Sequence, residues 1–67
     1  MERVYKVVDI IGTSDKSWEE AAKTAVTTAA KTLRDLRVAE VKRMDMKIEE
    51  GQLVYRVKMN VSFKYED

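Results

Sequence analysis

From residue 53 onward the chain alternates. Leu53, Tyr55, Val57, Met59, Val61, Phe63 and Tyr65 are apolar or aromatic, and between them stand Val54, Arg56, Lys58, Asn60, Ser62 and Lys64. A two-residue period predicts a strand with one apolar and one mostly polar face, extending more than ~20 Å. One short helix cannot cover so long a face, so the pattern points first to assembly. The segment from Arg3 to Ile11 is dense in Val, Tyr and Ile and runs into Gly12-Thr13-Ser14, which reads as a turn. Lys6 and Asp9 have opposite parity, which predicts a strand partly covered on both sides.

A helix follows. Ser17 with Glu20 three residues later is the capping-box pattern, and Glu19 and Glu20 suit the positive end of the helix dipole. Trp18, Ala22, Ala25, Ala29, Leu33 and Leu36 form one apolar stripe at helical spacing. Its alanines let the axis lie close to whatever it covers. Lys31, Arg34 and Arg37 are placed to complement the C-terminal end. The pattern then returns to strand from Val38 to Ile48, with a parity slip between Val41 and Met44 that predicts a bulge. Glu49-Glu50-Gly51-Gln52 closes a hairpin into the last strand. The order is β-α-β-β, an α+β architecture in a single domain spanning residues 1–67.

Composition narrows the chemistry. A chain of 67 residues has room for one core, and chains of this size usually need disulfides, a metal, oligomerisation or very good packing. Cysteine and histidine are both absent, which removes disulfides, thiolate or imidazole metal sites, cysteine nucleophiles and histidine acid/base catalysis. Thirteen basic and twelve acidic residues nearly cancel, so there is no broad footprint for nucleic acid or an anionic membrane. No long apolar run or signal-peptide pattern is present, and the reading is a soluble, cytoplasmic protein.

Ser14, Ser17 and Ser62 have no histidine base, no glycine-rich phosphate loop occurs, and the Glu49-Glu50 pair falls in a predicted turn where its side chains diverge. A binding or storage module is preferred to an enzyme. Trp18 reads as a core or contact residue at the helix start rather than a stacking platform. The polar face of the last strand, Arg56, Lys58, Asn60, Ser62 and Lys64, suits a phosphate-bearing anion, or simply keeps an exposed sheet soluble.

The run Val4-Tyr5-Lys6-Val7-Val8-Asp9-Ile10-Ile11-Gly12-Thr13-Ser14, the helix, the Glu40-Val41 pair, Gly51 in the hairpin and the closing Val57 to Phe63 run with its acidic tail together resemble the dodecin family. The resemblance covers nearly the whole chain. It implies a three-stranded antiparallel sheet partly wrapped around one helix. Twelve copies would form a hollow shell of cubic symmetry, a homododecamer that binds flavins in pairs at subunit contacts for storage rather than catalysis.

Three positions depart from that family's flavin site. Val38 stands where flavin-binding members carry a stacking tryptophan, and valine has no π face. Arg56 stands where a glutamine meets the ring edge, and arginine offers donors only. Asp45, in Met44-Asp45-Met46, replaces a cation with a carboxylate. The chain more closely resembles a subgroup lacking the tryptophan, some members of which are described as calcium-binding. Calcium takes six to eight oxygens. Asp45 and Glu40, or Glu49 and Glu50 near the hairpin, are the carboxylates to supply them, above all where symmetry brings copies together. The expectation is a flavin-independent, non-enzymatic shell binding a cation such as calcium or another small molecule. An altered flavin site and a purely structural or partner-binding shell are the alternatives.

Overall fold

The computed structural model describes residues 2–65, so the acidic tail, Glu66 and Asp67, lies outside the described residues. Strand β1 (Tyr5–Ser14), helix α1 (Trp18–Ala29), strand β2 (Leu36–Glu49) and strand β3 (Gln52–Lys64) follow in chain order. They form one antiparallel sheet of order β1-β3-β2, with the alternating last strand at its centre. Val8, Ile10 and Gly12 of β1 oppose Val61, Met59 and Val57 of β3, while Ala39, Val41 and Met44 of β2 oppose the same three residues from the other side. Direct cross-strand partners share a face. One face of the sheet is therefore apolar across all three strands.

Helix α1 lies on that face. Ala21, Ala25, Val57, Met59 and Val61 are buried, and Ile10, Trp18, Ala22 and Val26 pack against them. The N-cap is as predicted: Ser17 Oγ accepts from the Glu20 backbone N–H at 3.0 Å. The expected turn at Gly12-Thr13-Ser14 is instead the end of β1, which runs without a break to Ser14. Gly12 is needed for close approach rather than for a turn. A Cβ there would collide with the Ala21 carbonyl oxygen and lie 2.7 Å from Ala25 Cβ.

The helix is also shorter than its apolar spacing predicts. It stops at Ala29, Leu33 falls in the following turns and Leu36 opens β2. Backbone bonds tighten beyond Ala29, with Lys31 N donating to Thr28 O and Thr32 N to Ala29 O, both at 3.1 Å. Asp35 then takes a left-handed φ of 56° and swings the chain into β2. The last helical turn holds no basic residue, so Lys31, Arg34 and Arg37 do not sit within the helix to complement its dipole.

The predicted bulge is present between Val41 and Arg43, and a second register shift lies between Leu36 and Val38. Glu50 and Gly51 turn the β2–β3 hairpin with positive φ of 45° and 79°, as a tight two-residue loop requires. The molecule measures 51 Å along its longest axis, and a 12-residue helix spans only about 18 Å. Apolar side chains near the hairpin are left outside the core, with Met44, Met46, Ile48 and Leu53 all exposed. The opposite face carries no helix, so Val7 and Ile11 of β1 are exposed as well. Within one chain β1 is covered on one side only.

Candidate functional site

The face of the sheet away from the helix carries the chemistry. Alternation along β3 sends Arg56, Lys58, Asn60 and Ser62 to it, opposite to the buried Val57, Met59 and Val61. Pairing adds Val38, Glu40, Arg43 and Asp45 from β2, which oppose Ser62, Asn60, Lys58 and Arg56 in that order, and Asp9 from β1, which opposes Asn60.

Two of the expected site residues meet. Arg56 Nε donates to Asp45 Oδ1 at 2.7 Å and Arg56 Nη2 donates to Asp45 Oδ2 at 2.9 Å, a two-pronged fork across β2 and β3. Hydrogen bonding to Arg56 holds the Asp45 carboxyl below its ordinary range against some desolvation, and the positive charges of Arg56 and Arg43 act in the same direction. The Arg56 guanidinium is correspondingly raised. Both side chains remain substantially in contact with water, at 44% and 37% exposure for Arg56 and Asp45, so solvent screens the pair.

Val38 is elsewhere on the same face. It opposes Ser62, six residues along β3 from Arg56, which is roughly 20 Å at strand spacing. It is 61% exposed, and its backbone carbonyl accepts from Ser62 Oγ at 3.4 Å. Glu40, opposite Asn60, is four β3 residues from the Asp45 position, roughly 13 Å away, and its carboxylate lies 3.7 Å from Lys42 Nζ. Glu40 and Asp45 of one chain therefore do not share an ion. Among the described residues no group of three or more acidic side chains is arranged to hold a metal, and Glu49 of the hairpin is paired with Lys47 at 3.1 Å.

Trp18 proves more connected than its sequence position suggests. Its indole N–H donates to the Asp45 backbone carbonyl at 3.0 Å, and its ring meets Tyr55 edge-on with centroids 5.0 Å apart. The side chain ties the helix start to the hairpin beside the Arg56–Asp45 fork. No periodicity could have revealed that bond, because its acceptor is a main-chain atom 27 residues away. A concavity of about 550 Å³ between helix and β1, lined by Thr13, Thr24, Thr28 and Thr32 among others, holds no charged group and carries no comparable chemistry.

The sequence model of the dodecin family matches residues 4–66. The chain belongs to the dodecin family. It is 53% identical over 62 residues to the calcium dodecin of Mycobacterium tuberculosis, covering 91% of this chain and 87% of that protein. It is 41% identical over 68 residues to the dodecin of Thermus thermophilus, covering 100% and 99% of the two chains. The solved structure of the Mycobacterium tuberculosis protein, described as a calcium-chelating immunodominant antigen with a novel calcium-binding site, superposes with a TM-score of 0.87 at 52% identity, covering 94% and 91% of the chains. Dodecin membership accounts for the β-α-β-β order and the sheet around a single helix. Among the described residues no helix is long and apolar enough to cross a membrane.

Proposed function

We infer that this dodecin is a non-enzymatic ligand-binding protein that assembles as a dodecamer and takes up a hard cation of the calcium type in preference to flavin. The Arg56–Asp45 fork carries this reading. It fills the ring-edge position with a guanidinium already committed to a carboxylate, and Val38 supplies no aromatic face to compensate. The likeness to a protein named calcium dodecin supports the cation half of the proposal.

The donors present suit calcium in kind. Asp45 stays ionised well below neutral pH, and each of its oxygens keeps a lone pair beyond the one given to Arg56. Glu40 adds a second carboxylate on the same face, too far along the sheet to meet Asp45 of its own chain, so a shared ion draws on neighbouring copies. Bound calcium would supply charge neutralisation at such a contact. The uncovered Met44, Met46, Ile48 and Leu53 give the apolar surface for assembly.

Calcium titrated into chelator-treated protein, read by Trp18 fluorescence and native mass spectrometry, tests the reading. The expected result is a twelve-subunit mass that retains calcium, with Asp45→Asn and Glu40→Gln each weakening binding by about tenfold or more. Riboflavin should leave the protein colourless after desalting. Tight riboflavin binding with quenched flavin fluorescence, or a calcium response unchanged in both variants, would overturn it.

A further inference from the structure

We propose that Lys42, Arg43, Lys58 and Asn60 form a second site on the open face, for an oxyanion of the phosphate class. The site is built by the bulge. The register shift between Val41 and Arg43 inserts Lys42 as an extra residue and sets Arg43 directly opposite Lys58, so two like charges face each other across β2 and β3. Such a pair destabilises a sheet. Among the described residues neither Arg43 nor Lys58 has an ion-pair partner within 4.0 Å, whereas the neighbouring Arg56 and Lys42 both do.

These groups line a concavity of about 390 Å³ together with Asp9 and Asn60. Room is ample for a hydrated phosphate or the phosphate end of a larger molecule. A guanidinium and two ammonium groups can satisfy three oxygens of one tetrahedral anion, and the Asn60 amide offers further donors. The surrounding acids offset only part of this charge. Glu40 is 3.7 Å from Lys42 Nζ and Asp9 faces the concavity from β1, while Asp45, beside Arg43 and Lys58, is bonded to Arg56, so three cations stand against two carboxylates. A phosphate relieves the Arg43–Lys58 repulsion on binding, so affinity and subunit stability rise together. Asp45 is not among these residues, and the site stands whether or not calcium is the cation bound by this protein.

The probe is inorganic phosphate, followed by 31P line broadening and by thermal stability, against chloride at matched ionic strength. Wild-type protein should bind phosphate and gain stability from it. Arg43→Gln with Lys58→Gln should weaken phosphate binding about tenfold or more. The same pair should raise the melting temperature in phosphate-free, low-salt buffer, because the repulsion is gone. Lys16→Gln with Lys23→Gln removes the same net charge from elsewhere and should leave phosphate binding within about twofold of wild type. Equal loss in both double variants, or no phosphate response in wild-type protein, would overturn the site. If the double variant expresses poorly, Lys58→Gln alone, with fold checked by circular dichroism, replaces it: weakened phosphate binding supports the site, and unchanged binding overturns it.

Discussion

Two faces of one strand behave as different materials. On β3, Val57, Met59 and Val61 are each 1% exposed, while Arg56, Lys58, Asn60 and Ser62 between them turn to the face that no helix covers. Both sets share one backbone, the same neighbouring strands and one hydrogen-bond ladder, so the difference comes from the side chains beside them and from what lies over each face. Among the described residues the covered face contains no buried charged or polar side chain, and it is packed closely enough that a glycine is required opposite the helix. The open face tolerates like charges in register and holds Val38, Glu40, Asp45 and Arg56. Fold and chemistry are divided between alternate residues.

The sharpest way to break this division is to cut into the covered side. Met59→Ala removes the largest fully buried side chain and should cost about 2–5 kcal/mol per subunit, seen as a lower urea midpoint. Lys64→Ala, at the exposed end of the same strand, should stay within about 0.5 kcal/mol of wild type. Comparable losses from both would mean that the open face is covered after all.

A smaller but more specific effect is expected from Gly12→Ala. The added methyl meets the Ala21 backbone carbonyl, which cannot rotate away as a side-chain tip would, so helix or strand must shift. Overpacking of this kind costs about 1–3 kcal/mol, read as a fall in melting temperature. Gly51→Ala provides the contrast. Its methyl would meet nothing within 4 Å, and only the left-handed backbone at φ 79° resists it. If Gly51→Ala proves much more damaging than Gly12→Ala, the close helix approach is not what Gly12 is for.

The same division explains which features the sequence alone reveals. The covered face is legible where burial enforces a strict period: the alternation through Val57, Met59 and Val61, the Ser17 cap and the bulge after Val41 mark positions where local pattern and structure agree, whereas Leu53 and Tyr65 keep the period but stay exposed. Gly12 misleads because a glycine before Thr-Ser looks the same whether it makes a turn or admits a helix. Leu33 and Leu36 keep helical spacing although the chain turns at Asp35, since spacing reports what is apolar and not where the backbone bends. On the open face no periodic constraint operates. Asp45 and Arg56 can be named as site positions, but their fork depends on a register fixed only after the bulge offsets β2 by one residue. The bulge likewise creates the Arg43–Lys58 juxtaposition. Consecutive Lys42 and Arg43 at the parity slip are its one visible sign.

The gentlest test reaches only the Arg56–Asp45 fork, and its pH dependence has a definite sign. Asp45 has a folded pKa depressed below its unfolded value, so the stability it contributes is complete above that unfolded value and is lost as pH falls through the lower folded value. Arg56 shifts upward, and its window lies in strong alkali beyond the working range. Wild-type protein and Asp45→Asn should therefore differ in melting temperature by a small constant amount from neutral pH down to about pH 5, and should converge as acid protonates the wild-type carboxyl. Added salt should narrow the neutral-pH difference, because both partners are exposed enough to be screened. The Trp18 bond uses the main-chain carbonyl at residue 45 and not its carboxylate, so indole fluorescence should be the same in the two proteins. Parallel pH profiles that never converge would show that the fork is not formed in solution, and a shifted indole spectrum in Asp45→Asn would show that the carboxylate, contrary to its geometry, helps to hold the helix start against the hairpin.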